Sequence, residues 1–145
     1  MIVGLCSTFR EGQLAADAAR SLLACCERVR VFDGPIADAP AEGPKTNWGA
    51  LRKEPRIIVT HGEWASDAAK RTAMLDATRR LPEPTWGVIV DGDEVLLHGE
   101  GIPALIEHHE WDARAREEVS WGATLRLVEG DGTLGLIMAR VLRLD

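Results

Sequence analysis

The sequence predicts an α/β domain with a mostly parallel central sheet, helices on both faces and a C-terminal antiparallel hairpin. Three observations carry this expectation. Ile2 to Cys6 and Val29 to Phe32 are short β-branched, apolar runs on either side of an Ala- and Leu-rich stretch. That places strand, helix and strand within about thirty residues, the span of a βαβ unit with a right-handed crossover. Two further apolar runs follow the same plan, Ile57-Ile58-Val59 and Val88-Ile89-Val90. From Val119 to Leu144 the pattern changes to strict alternation around the turn Glu129-Gly130-Asp131-Gly132, which reads as a hairpin.

The elements follow in order. Ser7 to Gly12 is polar and forms the loop after the first strand. From Gln13 to Cys26, Leu14, Ala18, Leu22 and Cys25 recur at helical spacing and predict one buried face. Asp33-Gly34-Pro35 closes the second strand. Ile36 to Pro55 has no period and holds Pro40, Pro44, Gly43 and Gly49, so residues 36–55 are expected to be a long, mobile surface loop. Trp48 within it is either an anchoring contact or a ligand-stacking residue, with anchoring the favoured reading. After the third strand, Ser66 is placed to cap a helix from about Asp67 to Arg80, with Ala68, Thr72, Leu75 and Arg79 on one side and a stop before Pro82. Ile102 to Ile106 predicts a short helix with Pro103 in its first turn. Adjacent His108 and His109 cannot face one another on a helix and are not expected to share a metal.

Composition narrows the function class. The 145 residues are 46% hydrophobic and 28% charged, as expected of one soluble domain with a real core. With 17 basic against 23 acidic residues the formal charge is −6, which argues against a nucleic-acid partner. Cys6, Cys25 and Cys26 form neither a C-x-x-C pair nor a disulfide framework and are expected to be reduced in a cytoplasmic setting. The N-terminal residues lack the basic and long apolar regions of a signal peptide, and no run approaches a membrane span.

The chemistry concentrates in Val90-Asp91-Gly92-Asp93-Glu94. Three acids in four positions at the end of a buried strand repel one another unless a cation or basic groups sit among them. Mg²⁺ commonly takes one or two carboxylates together with substrate phosphates, and open α/β sheets bind ligands at the carboxyl ends of their strands. The bland reading is a solvated acidic turn, because Asp-Gly is also turn chemistry. Lys70 and Arg71, early in the helix after the third strand, stand near the same edge and are candidate anion-facing groups. Arg140 shares an alternating face with Leu134, Leu136, Met138, Leu142 and Leu144. There it needs a carboxylate partner or a place at the ligand.

The order of these pieces resembles family-2-like glycosyltransferases of the GT-A fold. The residues that carry the likeness are a βαβ unit ending in Asp33, His61-Gly62-Glu63-Trp64 followed by Lys70-Arg71, and the Asp-x-Asp-Glu of Asp91 to Glu94, followed by the hairpin ending Met-Ala-Arg-Val-Leu-Arg. The resemblance implies a single Rossmann-like GT-A domain over residues 1–145. It also implies transfer of a sugar from a nucleotide-sugar donor to an acceptor hydroxyl, with Mn²⁺ or Mg²⁺ as cofactor. It places Thr8 and Glu11 at the nucleotide edge and Asp33 on the base, with Lys70, Arg71 and Arg140 on the donor. Asp91 falls on the ribose or metal and Asp93 on the metal. Two departures stand out. Asp33-Gly34-Pro35-Ile36-Ala37-Asp38 lacks the serine of the family's Asp-x-Ser-x-Asp. The chain also stops soon after the hairpin, where many relatives continue into an acceptor-binding half, so a minimal enzyme and a donor-binding fragment are both open. Glu94, Glu118, Glu129 and Asp131 are candidates for the base an inverting transfer needs, and spacing singles out none.

Two other readings share the acidic motif. A toprim-like Mg²⁺-dependent nuclease or primase domain also ends a strand in Asp-x-Asp, but it places a Glu directly before the Gly that here follows His61. A non-catalytic nucleotide-binding domain of the same fold would keep the site without turnover.

Overall fold

The computed structural model describes residues 1–37, 39, 42–51, 53–81, 86–108, 122–128 and 134–143, with side chains through residue 108 apart from residue 50. Four parallel strands form the body of a six-stranded sheet: β1 (Ile2–Thr8), β2 (Arg28–Asp33), β3 (Ile57–His61) and β4 (Trp86–Asp91). β6 (Leu134–Arg143) pairs antiparallel with β4, and β5 (Gly122–Val128) pairs antiparallel with β6. The order across the sheet is β3-β2-β1-β4-β6-β5, so β1 and β4 are interior strands. The residues that connect β5 to β6 lie outside the described part of the chain.

Alternating side chains build two apolar layers, one on each face. On one face Cys6, Val29, Val31, Val88 and Val90 pack with Ala16, Ala19 and Leu22 and with Ile102 and Ile106. The first group of partners belongs to helix α1 (Gln13–Ser21) and the turn after it, and the second to a helix α3 over residues 102–108. On the other face Val3, Leu5 and Phe32 pack with Met74 of helix α2 (Asp67–Arg79), flanked by Trp64 and Ile89. This is the two-faced, mostly parallel α/β architecture that the periodicities predict.

Both long helices lie where expected; α1 and the turn after it bury Ala18, Leu22 and Cys25 of the predicted face but not Leu14, whereas α2 turns a different side to the sheet. α1 ends at Ser21 and tightens into a single 3-10 turn over Leu22–Ala24. Its buried residues are Ala15, Ala16, Ala18 and Ala19, while Leu14 is 51% exposed. Close packing on the sheet selects the small residues, and Leu14 is left at the rim. α2 starts at Ser66, whose hydroxyl accepts the Ala69 N–H at 3.1 Å, as its capping role requires. Its inward face is Lys70, Met74 and Thr78 rather than the stripe through Ala68, Thr72, Leu75 and Arg79. Met74 fills the apolar layer, and one turn earlier the same phase brings the Lys70 ammonium under the sheet edge.

The segment after β2 is tied down at several points. Ile36 bridges to Trp64, the Gly12 N–H donates to Pro44 O at 3.1 Å, and a 3-10 turn at Trp48–Leu51 buries Leu51. All three thiols are free and buried, with the Cys25 and Cys26 sulfurs 3.5 Å apart. Among the described residues no helix is long and apolar enough to cross a membrane.

Candidate functional site

Parallel register brings the expected site residues to one edge. Thr8 pairs with Asp33 and Asp33 with His61, while Ser7 pairs with Asp91. The carboxyl ends of β3, β2, β1 and β4 therefore present His61, Asp33, Thr8 and Asp91 in a row. Neighbouring strands lie about 4.8 Å apart, so Asp33 and Asp91 stand roughly 10 Å from one another across β1.

On the β2 side the edge opens into a cleft of about 550 Å³, lined by Phe9, Asp33, Lys45, Thr46, Trp48 and His61 among others. Asp33 is only 16% exposed. Its Oδ2 accepts the Trp48 indole N–H at 2.7 Å and lies 3.2 Å from His61 Nδ1. Gly34, next in the chain, has φ 153°. A β-carbon there would collide with Gly62 O, so the turn that leads out of β2 requires glycine.

On the β4 side stands the acidic loop. The Asp91 N–H donates to Glu94 Oε2 at 2.8 Å, and the Glu94 N–H returns to Asp91 O at 3.0 Å. Glu94 thus closes the turn it belongs to. Arg71 donates through Nε to Asp67 at 2.7 Å and through Nη2 to Asp91 at 3.2 Å. Partial burial works against its charge, but these two carboxylates outweigh that effect and raise its pKa above the ordinary value. Asp67 and Asp91 are thus bridged by one guanidinium.

The loop after β1 joins the two sides. Thr8 Oγ1 donates to Glu11 Oε2, which also accepts the Phe9 N–H at 2.6 Å. Gly92 packs directly onto this pair, and a β-carbon on it would lie 2.5 Å from Thr8 Oγ1 and 2.7 Å from Glu11 Oε2. Thr8 and Glu11 therefore touch the acidic loop, while the next residue, Phe9, lines the cleft. Cys6 lies beneath, and burial, followed by the charges of Glu11 and Asp91, drives its thiol far above the ordinary range.

Lys70 is placed differently from its neighbour. It is 3% exposed, and its ammonium donates to Thr8 O at 2.8 Å and Gly34 O at 2.9 Å while resting 5.0 Å from the Trp64 ring centroid. Burial lowers its pKa, and the nearby carboxylates of Glu11 and Asp33 offset part of that. Sequence reasoning sets Lys70 beside Arg71 as a ligand-facing cation, whereas here it ties the end of β1 to the end of β2.

Asp93 is exposed, and among the described residues no hydrogen bond or ion pair engages its carboxylate. No three His, Cys, Asp or Glu side chains among the described residues converge to hold a metal unaided. The donor set instead suits a cation bound jointly with phosphate: one outward carboxylate at Asp93, a second at Asp91 steered by Arg71, and the remaining ligands supplied by the anion. Arg140 belongs to β6 by its backbone, and its side chain lies outside the described residues, as do Glu118, Glu129 and Asp131.

Trp48 and His61 form part of the cleft but were not singled out as site residues by sequence. His61 carried a signal, its position at the carboxyl end of a parallel strand. Trp48, expected as an anchoring contact, does anchor its segment, through the indole N–H on Asp33.

No family model and no curated protein matches the chain. Among solved structures it is similar to S. aureus TarS 1–349, at 14% identity and a TM-score of 0.47, covering 74% of this chain and 33% of that one. A second TarS crystal structure gives 12% identity and a TM-score of 0.48, covering 75% of this chain and 20% of that one. The chain thus spans about a third or less of each of these two chains.

Proposed function

We propose that this domain binds a nucleotide-sugar donor across the carboxyl edge of its sheet and serves as the donor half of a metal-dependent glycosyltransferase. One observation supports this above the rest. A cleft with a carboxylate in its wall and an acidic loop with an outward carboxylate stand about two strand spacings apart, joined by the Thr8 to Glu11 loop. A nucleoside diphosphate has that shape, with an apolar ring bearing polar edges at one end and concentrated negative charge at the other.

In this reading the base enters the cleft beside Phe9 and Asp33, and the diphosphate lies over Thr8 toward Asp91 and Asp93. Arg71 steers Asp91 and adds positive charge near the departing diphosphate. Lys70 holds the β1 and β2 ends in place from below. Asp93, with Asp91 beside it, would hold Mn²⁺ or Mg²⁺, and the bound ion would supply charge neutralisation to the leaving group. The charge builds up on the diphosphate, so preorganised positive charge is what this edge contributes to transfer. Acceptor recognition and the base for an inverting reaction are assigned to none of the described residues.

The test is a calorimetric titration of the chain with UDP, GDP, CDP and ADP, each with Mn²⁺ and again in a chelator. Binding that needs the metal supports the proposal. Equal affinity in the chelator, or no binding by any of the four, overturns it.

A further inference from the structure

We infer that the outer edge of β3, with the sheet face behind it, is a docking site for an extended acidic polypeptide segment. The segment adds a strand beside β3 and brings its carboxylates to Arg28 and Arg30. The inference does not rest on the donor-binding reading above.

β3 ends the sheet, with β2 on one side and no strand on the other among the described residues. The Val29 N–H donates to Arg56 O at 2.8 Å, and the Gly62 N–H to Asp33 O at 3.2 Å. These two bonds fix the phase of the parallel ladder, so Ile58 and Thr60 turn their backbone groups toward β2. Val59 and His61 therefore present their N–H and C=O groups to the open side. Natural proteins blunt such edges with Lys, Pro or inward charges. Ile57-Ile58-Val59-Thr60-His61 has none of these, and its five residues are an ordinary strand length.

The face behind this edge lacks a partner as well. Register places Val3 and Leu5 of β1, Arg28 and Arg30 of β2 and Ile58 of β3 on one side of the sheet. α2 covers Val3 and Leu5 through Met74, but the cover stops short of β3. Ile58 is 42% exposed, and Arg28 is exposed too. Arg30 is half-buried, and its Nε is buried without a hydrogen-bond partner. Such a group is costly until something completes it. Among the described residues no carboxylate pairs with either guanidinium. Acids on the neighbouring segments are already engaged: Glu27 with the Ile2 N–H at 3.2 Å, Glu54 with Arg56 at 3.0 Å and Asp76 with Arg79 at 3.3 Å. In a chain of formal charge −6, this patch is left needing an anion.

Strand addition supplies it. Main-chain bonds to an open edge give affinity, and alternating side chains give specificity. A residue added opposite Ile58 stands two strand spacings from Arg30, roughly 10 Å, which an Arg and a Glu side chain span together. The alternate residues of the segment fall on the other face, beside Ile57 and Val59, where apolar side chains fit. The pattern expected of the partner is therefore acid alternating with aliphatic.

The test is fluorescence anisotropy of a labelled Glu-Val-Glu-Val-Glu-Val peptide with the full chain, beside a Gln-Val counterpart of the same length. The acidic peptide is expected to bind about tenfold more tightly, as two surface ion pairs near the top of their range allow. The preference should shrink as salt rises and vanish when Arg28→Gln and Arg30→Gln are combined. Val59→Pro deletes an outward N–H, a place where edge strands tolerate proline. It should weaken both peptides several-fold while the Tm stays near that of wild type. Hydrogen exchange gives the same reading without a variant, because bound peptide should slow the Val59 and His61 amides. The inference is overturned if neither peptide binds, if the double arginine variant keeps the preference, or if those two amides exchange as fast with peptide as without. Self-association by sedimentation that Val59→Pro abolishes, with no peptide binding, would assign the edge to a second copy and equally overturn it.

Discussion

Replacing Lys70 by Met separates a supporting role from a ligand-binding one. The substitution keeps a stem of similar length and removes the ammonium that bonds Thr8 O and Gly34 O. Thr8 O retains the Gly34 N–H at 3.0 Å, so most of the loss falls on Gly34 O. Stranding an acceptor costs about 1–3 kcal/mol, and removing a desolvated charge returns part of it. A net loss of about 2 kcal/mol is expected, a drop in Tm of roughly 4–8 °C for a domain of this size. Lys70→Ala also removes three buried methylenes at about 0.8 kcal/mol each and should cost about twice as much. Urea unfolding followed by tryptophan fluorescence measures both. The pH dependence carries a second signature. Burial lowers the pKa of the folded-state amine, so the unfolded chain keeps this proton to higher pH. Between the folded value and the ordinary one near 10.4, this group makes wild-type stability rise with pH, and Lys70→Met should lack that contribution. If Lys70→Met proves as stable as wild type yet no longer binds a nucleotide, the supporting role is refuted and the lysine is a ligand group.

Two other outcomes follow from the acidic loop. Asp93→Asn should leave the unliganded Tm unchanged or slightly higher, because repulsion among the acids is relieved. It should abolish the metal-dependent stabilisation by a nucleoside diphosphate, which in wild type at a hundredfold excess over Kd is about 2.7 kcal/mol, or roughly 5–10 °C. A full shift in the variant, read by thermal melts with and without Mn²⁺, would count against Asp93 as the ligand. Gly92→Ala places a β-carbon against Thr8 and Glu11 and should destabilise by about 1–3 kcal/mol, as overpacking does. A denaturation midpoint equal to wild type would show that this contact is not tight.

Much of the sheet was legible because its signals are local. β1, β2, β3 and β4 are short apolar runs with turn residues behind them, and the Ser66 cap fixes the start of α2 within a few residues of sequence. The phase of α2 was not legible. Its alanines offer no strong stripe, and the face that wins depends on two carbonyls, at Thr8 and Gly34, lying 62 and 36 residues away from Lys70. The site divides in the same way. Asp33 and Asp91 announce themselves by ending strands, with Asp93 two residues beyond, and parallel register alone aligns the first two. The Trp48–Asp33 bond crosses 15 residues of aperiodic chain, and no spacing rule reaches across such a segment. Leu14 makes the complementary point: its helical spacing was sound, but only packing decides which residues of an Ala-rich helix come closest to the sheet.

Thr8 belongs to both halves of the edge at once. Its carbonyl accepts from Lys70 and from Gly34 beside the cleft, while its hydroxyl holds Glu11 beneath Gly92. The acidic loop and the turn that carries Asp33 therefore share Thr8 as a common contact. If the two ends bind base and cation as proposed, linkage ties them together. Whatever factor the cation adds to affinity for the base end, occupation of the base end must add to affinity for the cation. A free nucleoside, which has no phosphate to touch the metal, should sense the cation only through Thr8, so its metal dependence isolates the strength of that link.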